Sequence, residues 1–427
     1  MTEFAESTAT APARALPAKP GPVLAMLLLV YVFNFLDRQI LSILAAPIQA
    51  DLGLSDTQMG LLGGIAFALL YSTLAVPLAW LADRTSRSWV ITVSLIGWSA
   101  FTAICGFAQN FWSIFLARLG VGVGEAGGVA PSYAIIGDYF PSSKRAFALS
   151  IYSLGIPIGS AAGVLTGGYI AATVDWRTAF LVVGLCGVAI AVPFRLVVKD
   201  VPRAQTQKSE RQGFGAIARI LAAKPSFWFL SFGAASSSML GYGVAFWLPS
   251  LLQRSFGLDL VQTSHFFGAV LLFGGTVGVL LGGWAADRLG GHDRAWYAWL
   301  PALAFVAALP FYGFGIVSQS VTVAFVLFLV PQAFAYIWLG PVLTAVQHLV
   351  APDARATASA LFLLINNLIG LGGGIYALGA LSDILKPVYG DEALRYSMLY
   401  ALVLYAVAAI LMGLAGRRLR RDWVAEG

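Results

Sequence analysis

Three stretches of this chain lack any charged residue over lengths that could cross a lipid bilayer. Residues 89–108, 227–252 and 295–350 contain no Asp, Glu, Lys or Arg. A membrane-spanning helix needs about 20 apolar residues in a row, and it satisfies its backbone hydrogen bonds internally. Only 11% of the residues are charged, whereas soluble domains carry roughly a quarter. The sequence therefore predicts an all-α membrane protein.

Hydropathy and turn residues divide the chain into twelve predicted transmembrane helices in two six-helix bundles. The first six spans are predicted at 22–49, 57–82, 88–108, 111–138, 145–172 and 178–198. The second six are predicted at 226–252, 262–286, 295–317, 320–348, 354–383 and 395–416. The expected segments are a tail at 1–21, bundles at 22–198 and 225–416, a linker at 199–224 and a tail at 417–427. Residues 214–223 of the linker could form a helix lying on the membrane surface.

The positions of the basic residues predict the orientation in the membrane. Gaps on the side of the two termini hold thirteen Lys and Arg residues, whereas the gaps on the other side hold four. Four more arginines lie in the tail, at 417, 418, 420 and 421. Because cytoplasmic loops carry the excess of Lys and Arg, we expect both termini in the cytoplasm. The expected location is the inner (plasma) membrane of a bacterium.

Two sequence echoes indicate that the halves are related. LADRTSR at 81–87 recurs as AADRLGG at 285–291, and FPSSKRAFALS at 140–150 is echoed by APDARATASA at 351–360. Each pair falls in equivalent gaps of the two bundles. Halves related by an axis along the membrane normal place the substrate site near the midplane between them.

Four ionisable residues lie well inside predicted spans. Asp37 and Arg38 belong to the first span, and Arg118 and Glu125 belong to the fourth. Each costs roughly 2.5 to 3.5 kcal/mol at a helix centre on insertion scales, so we expect them to face one another. One arrangement pairs Asp37 with Arg118 and Arg38 with Glu125.

Such a cluster has two interpretations. Protonation of Glu125 would release an arginine to bind another anion, which would make Asp37 and Glu125 proton-coupling residues. The alternative is a fixed structural network of ion pairs. We favour the coupling interpretation because intramembrane charge is rarely retained without a use.

Acid–base pairs at the cytoplasmic ends of equivalent spans suggest a gate. They could bridge neighbouring helix ends in one state and separate in another, although exposed pairs contribute only about 0 to 1 kcal/mol. Solvated loop charges are the alternative. The predicted gate residues are Asp83, Arg84, Asp138, Arg145, Asp287 and Arg288.

The fourth and fifth spans are rich in glycine. They read RLGVGVGEAGGVAP and SLGIPIGSAAGVLTGG, and small residues allow membrane helices to approach closely. Neither run is followed by the Gly-Lys-Ser/Thr of a phosphate loop. We therefore expect close helix packing there.

Several motifs carry a family resemblance. NFLDRQ at 34–39, RLGVGVGEAGGVAPS at 118–132 and IIGDYFP at 135–141, together with the repeated Asp-Arg motif, resemble the spinster branch of the major facilitator superfamily. Members of this branch include sphingolipid and lysolipid transporters. The resemblance implies that substrate handling and coupling involve Asn34, Asp37, Arg38, Arg118 and Glu125.

These observations predict a proton-coupled secondary transporter that works by alternating access. A cavity with arginines on one wall and an apolar second wall would suit an amphipathic organic anion, such as a lysophospholipid or a sphingoid-type lipid. A proton-driven exporter of drugs and amphiphiles is the alternative, and a non-transporting receptor is a further one.

Other classes of function are disfavoured. No Ser/His/Asp or Cys/His constellation of an enzyme is present. His265, His292 and His348 are scattered, and Cys105 and Cys186 lie in apolar spans, so we expect no metal and no cofactor. The expected partners are the bilayer, protons and the amphipathic substrate, without nucleic acid, and we expect a monomer.

Overall fold

The described part of the chain folds into apolar helices that supply twelve membrane spans. The computed structural model describes residues 17–201, 214–290 and 292–424. Within these ranges eleven helical stretches are long and apolar enough to span a bilayer, and the last, Arg355–Asp422, has 68 residues. One crossing needs only about 20. This stretch turns at Gly390, whose φ of 56° lies in the left-handed region that glycine tolerates, so it supplies two spans. The predicted fold class is confirmed.

We number the spans 1 to 12 in chain order. Spans 1 to 6 are Pro20–Ile43 with Ala45–Leu52, Asp56–Arg84, Arg87–Cys105, Phe111–Glu125 with Val129–Tyr139, Ser142–Ser153 with Gly155–Thr173, and Trp176–Val197. A short helix, Phe214–Ala222, precedes span 7. Spans 7 to 9 are Pro225–Phe256, Leu260–Ala269 continued to Gly290, and Trp296–Val317. Spans 10 to 12 are Val321–Phe334 with Leu339–Gln347, Arg355–Ile365 continued to Tyr389, and Ala393–Ala401 with Val403–Asp422.

An even number of spans places Pro20 and Asp422 at the same end of the molecule. We call this end the terminal end and the opposite one the distal end. Large aromatic side chains, including Trp98 and Trp247, are fully buried between helices. Large apolar side chains such as Val388, which is 75% exposed, cover the outer surface instead. This distribution suits a protein whose surroundings are lipid.

The two halves are interrupted at equivalent places. Span 2 contains a π-helical turn at Leu61–Ile65, and span 8 contains one at Val270–Gly274. Spans 4 and 10 both break in their second half, at 126–128 and 335–338. Irregular turns of this kind are common at functional sites. The break in span 4 follows Glu125 directly, so it lies beside a predicted site residue.

Glycines bring span 1 and span 2 into backbone contact with their neighbours. A methyl group at Gly122 of span 4 would lie 2.6 Å from the Phe67 carbonyl oxygen of span 2. A methyl group at Gly163 of span 5 would collide with the Leu36 carbonyl oxygen of span 1. The predicted close packing is confirmed. Because Leu36 precedes Asp37, Gly163 also fixes the position of span 1 at its charged residues.

This contact predicts the effect of adding one methyl group. Gly163→Ala should destabilise the protein by about 1 to 3 kcal/mol, as overpacking of a tight core does, and should lower the unfolding temperature measured in detergent. The matched control is Gly413→Ala in span 12, where an added methyl group meets no atom within 4 Å. Equal unfolding temperatures for the two variants would contradict this assignment.

Candidate functional site

The predicted intramembrane charges of spans 1 and 4 form one cluster. Asp37, Arg118 and Glu125 are at most 2% exposed, and the Arg38 side chain is 12% exposed. Span 1 presents its two charges to the two charged side chains of span 4. The low local dielectric strengthens each interaction within the cluster.

Glu125 is held by two side chains of span 1 through a single oxygen. Arg38 Nε donates to Glu125 Oε2 at 2.7 Å, and Asn34 Nδ2 donates to the same oxygen at 2.8 Å. Asn34 and Arg38 are four residues apart, so they lie on one face of the helix. The predicted pairing of Arg38 with Glu125 is confirmed.

The Asp37 side chain of span 1 contacts both span 3 and span 4. Arg118 Nη1 is 4.0 Å from Asp37 Oδ2, which confirms the second predicted pair at a longer distance. Thr102 Oγ1 donates to Asp37 Oδ1 at 2.6 Å. Sequence reasoning missed Thr102, because a threonine in an apolar helix usually bonds to its own backbone, as this one also does to the Trp98 carbonyl oxygen at 2.9 Å.

The cluster retains buried polar atoms without hydrogen-bond partners among the described residues. They are Asn34 Oδ1, Asp37 Oδ2, Arg38 Nη2, Arg118 Nε, Arg118 Nη1 and Glu125 Oε1. A structural network is stable when every member is satisfied. This one is half satisfied, so its members have spare capacity to bind a proton, a solute group or water.

Aromatic rings surround the Arg38 guanidinium. Its central carbon lies 4.5 Å from the ring centre of Tyr71, 4.8 Å from that of Phe67 and 5.0 Å from that of Phe35. Nearby, Tyr31 and Tyr152 stack at 4.2 Å. Cation–π attraction stabilises the charge without neutralising it, so Arg38 remains able to bind an anion. The aromatic residues carried no sequence signal of their own, since rings in apolar spans are usually core.

The second half contributes amides that bond among themselves. Ser238 donates to Asn366 Oδ1 at 2.9 Å, and Asn366 Nδ2 donates to Asn367 Oδ1 at 3.4 Å. Both asparagines begin the π-helical segment Asn366–Gly373 of span 11. In this conformation Asn366 therefore stabilises the interior of the second half.

Comparison with known proteins places this chain in a family. The family model of the Major Facilitator Superfamily matches residues 27–374. The chain belongs to the major facilitator superfamily, in its spinster-like branch. It is an integral membrane transporter, not an enzyme.

Three relatives define this placement. An MFS-type efflux pump of Mycolicibacterium smegmatis is 33% identical over 415 residues, with 96% of both chains covered. A sphingosine-1-phosphate transporter of Mus musculus is 27% identical, with 91% of this chain and 75% of the relative covered. A crystal structure of a bacterial homolog to the human lysosomal transporter Spinster, in an inward-facing and unoccupied conformation, matches with a TM-score of 0.87 and 30% identity. That match covers 97% of this chain and 100% of the other.

The predicted gate residues of this transporter do not pair with one another as expected. Arg87, which was not among the predicted gate residues, bridges Asp83 at 2.8 Å and Asp138 at 2.6 Å. Arg84 stacks on Trp80 of its own helix at 3.8 Å. Arg145 donates to the Gly137 carbonyl oxygen at 2.9 Å. The two predicted gate acids of the first half, Asp83 and Asp138, are thus joined through Arg87, which begins span 3.

The equivalent pair in the second half is only partly described. Arg288 lies over the Trp284 ring at 5.7 Å, as Arg84 does over Trp80. The side chain of Asp287 lies outside the described residues. The gating role of both pairs stays a prediction.

The buried pair predicts a characteristic stability pattern. Removing one partner of a buried pair leaves an uncompensated charge and costs about 3 to 5 kcal/mol. Arg38→Gln should therefore lower the unfolding temperature in detergent more than the double variant Arg38→Gln/Glu125→Gln does.

The control is an exposed pair. Arg177→Gln removes the partner of Asp51, and their side chains are 35% and 44% exposed, so we expect a cost of at most about 1 kcal/mol. A double variant that loses as much as the sum of its single variants would show that Arg38 and Glu125 are not coupled.

Proposed function

We propose that this transporter couples the movement of protons to that of an amphipathic anion, of the lysophospholipid or sphingoid-phosphate class. Glu125 takes the proton, Arg38 binds the anionic head group, and Asp37 and Arg118 form the accompanying pair. The single observation that carries the proposal is the Glu125 carboxylate, which is completely buried and uses one oxygen for both of its hydrogen bonds.

Charge balance explains how the proton and the anion are linked. The cluster holds two carboxylates and two guanidiniums and is neutral as a set. Protonation of Glu125 weakens its attraction for Arg38 and leaves the cluster with one excess positive charge. A buried unpaired charge is costly, so an anionic head group that binds Arg38 restores neutrality. Proton binding therefore favours anion binding.

The surroundings of Arg38 support an amphipathic substrate. Three aromatic rings within 5.0 Å of the guanidinium offer apolar surface next to the charge. A head group that reaches Arg38 would place its adjoining chain against these rings. The mouse relative, whose name gives sphingosine-1-phosphate as its substrate, is consistent with this class.

The proposal also includes an orientation in the membrane and a conformation. The terminal end faces the cytoplasm of a bacterium, as the basic residues indicate. The likeness to an inward-facing homolog supports a state that is open at the terminal end. The transporter works as a monomer, because spans of one chain form the whole charge cluster.

Export of drug-like amphiphiles is the second candidate function. The observation that favours it is the 33% identity to an efflux pump over nearly the whole chain. An aromatic site around a single charge could also accept such compounds.

Flux measurements test the proposal. Purified protein in liposomes should move labelled lysophosphatidylglycerol and sphingosine phosphate faster under an imposed pH gradient than without it. Glu125→Gln should abolish the part of the flux that depends on the gradient, because the neutral amide cannot exchange a proton. The control, Asp51→Asn, changes a carboxylate outside the cluster and should leave that part intact.

Two outcomes would overturn the proposal. Flux that is unaffected by the gradient and by Glu125→Gln would exclude proton coupling through this residue. Gradient-driven flux of ethidium without flux of either anionic lipid would favour the exporter.

A further inference from the structure

The distal end holds a bidentate ion pair between the two halves. Arg254 of span 7 donates to both carboxylate oxygens of Asp56, the first residue of span 2, at 2.7 and 2.9 Å. The Asp56 side chain is only 8% exposed, and that of Arg254 is 29% exposed. Bidentate arginine–carboxylate pairs are among the strongest and most directional polar contacts in proteins.

Two further side chains complete the shell of Asp56. Ser382 of span 11 donates to Asp56 Oδ2 at 2.7 Å. Gln49 of span 1 donates to Asp56 Oδ1 at 2.8 Å and accepts from Arg254 at 2.8 Å. Asp56 is thus bonded to both halves at once, and its charge is fully engaged.

A reciprocal contact runs from the second half to the first. Asp383 of span 11 accepts from the Thr57 backbone N–H at 2.7 Å and from the Thr57 hydroxyl at 2.6 Å. It also accepts from the Asp56 backbone N–H at 3.3 Å. These N–H groups lie at the start of span 2, where a carboxylate is stabilised by the helix dipole. The capping acid therefore comes from the opposite half of the molecule.

Backbones meet directly behind these side chains. A methyl group at Gly64 of span 2 would lie 2.6 Å from the Gly372 carbonyl oxygen of span 11, and one at Gly379 would collide with the Asp56 carbonyl oxygen. Spans 2 and 11 are therefore closed against each other at this end. Any opening between the halves here must first break the contacts of Asp56 and Asp383.

We infer that Asp56, Arg254 and Asp383 form a distal latch that holds the halves closed at this end and opens once in each transport cycle. This role rests on the alternating access of the proposed function. No other residue set at this end joins the halves through a bidentate pair among the described residues.

The position of the distal latch makes it reversible. A hollow of about 470 Å³ lies beside it and is lined by Asp56 and Arg254 of the latch together with Lys386 and Asp391. Water in a hollow of this kind can replace the lost hydrogen bonds when the pair separates. A pair of the same geometry deep in the apolar core would leave unpaired charges on opening.

Cysteine accessibility tests the distal latch. The reporter is Ser264→Cys in span 8, in a background with Cys105→Ala and Cys186→Ser. Ser264 is 3% exposed and packs against Gly168 of the opposite half, so it becomes accessible only when the distal end opens. A hydrophilic maleimide should label the reporter slowly when the latch is intact.

Breaking the latch should speed this labelling. We expect Arg254→Gln to raise the labelling rate about tenfold. The free-energy equivalent of this change lies within the range of interaction energies measured for residues in contact. The charge exchange Asp56→Arg/Arg254→Asp should bring the rate back toward that of the intact latch. Asp383→Asn, which keeps the shape of the cap and removes its charge, should give an intermediate rate. Size-exclusion profiles identify folded protein.

The matched control is Arg177→Gln, which breaks the distal pair Asp51–Arg177 within one half and should leave the labelling rate unchanged. Unchanged labelling in both Arg254→Gln and Asp383→Asn would overturn the latch, as would equal acceleration by Arg177→Gln. The readout needs neither substrate nor proton gradient. If flux does not depend on the pH gradient but the labelling of Ser264→Cys still responds to the latch variants, the proposed function is refuted and the latch remains supported.

Discussion

The ion pair between Arg38 and Glu125 is the interaction on which the account of this transporter depends. It joins span 1 to span 4 at 2.7 Å in an environment with almost no exposure. A pair of this kind is expensive to separate unless another charge replaces the lost partner. The pair therefore restricts the conditions under which the helices can rearrange: a proton on the carboxylate, an anion on the guanidinium, or both together. Coupling becomes a consequence of charge balance in an apolar medium.

The glycines and the helix interruptions make this arrangement possible. Gly163 allows span 5 to touch the backbone of span 1 beside Asp37, and Gly122 allows span 4 to touch span 2. Span 4 breaks directly after Glu125, which frees the backbone from strict helical geometry at the point where the carboxylate must be placed. At the distal end the polar contacts of Asp56 hold the halves together. Span 2 carries Asp56 at the distal end and, further along, the Phe67 and Tyr71 rings that lie over Arg38, so a movement of span 2 changes both the central cluster and the distal contacts.

Much of this organisation could be predicted from the sequence. The uncharged stretches, with the basic segments between them, predicted the spans. The cost of placing a charge inside a membrane predicted the pairing of Arg38 with Glu125 and of Asp37 with Arg118. The remaining residues could not be found in this way, because their role depends on which helices become neighbours. Thr102 is an unremarkable residue of span 3 until span 1 brings Asp37 to it. Arg254 and Asp56 read as two loop charges about two hundred residues apart, and only the fold brings them into contact.

Proton uptake on ligand binding is the measurement that tests the central claim most directly. Calorimetric titration of lysophosphatidylglycerol into the purified transporter, repeated in buffers of different ionisation enthalpy, gives the number of protons bound with each ligand. Linkage predicts a net uptake of up to about one proton per ligand, with binding that strengthens as the pH falls. The uptake should disappear in Glu125→Gln. Tight binding without proton uptake, or uptake that persists in Glu125→Gln, would contradict an exchange between the Glu125 proton and the anion held by Arg38.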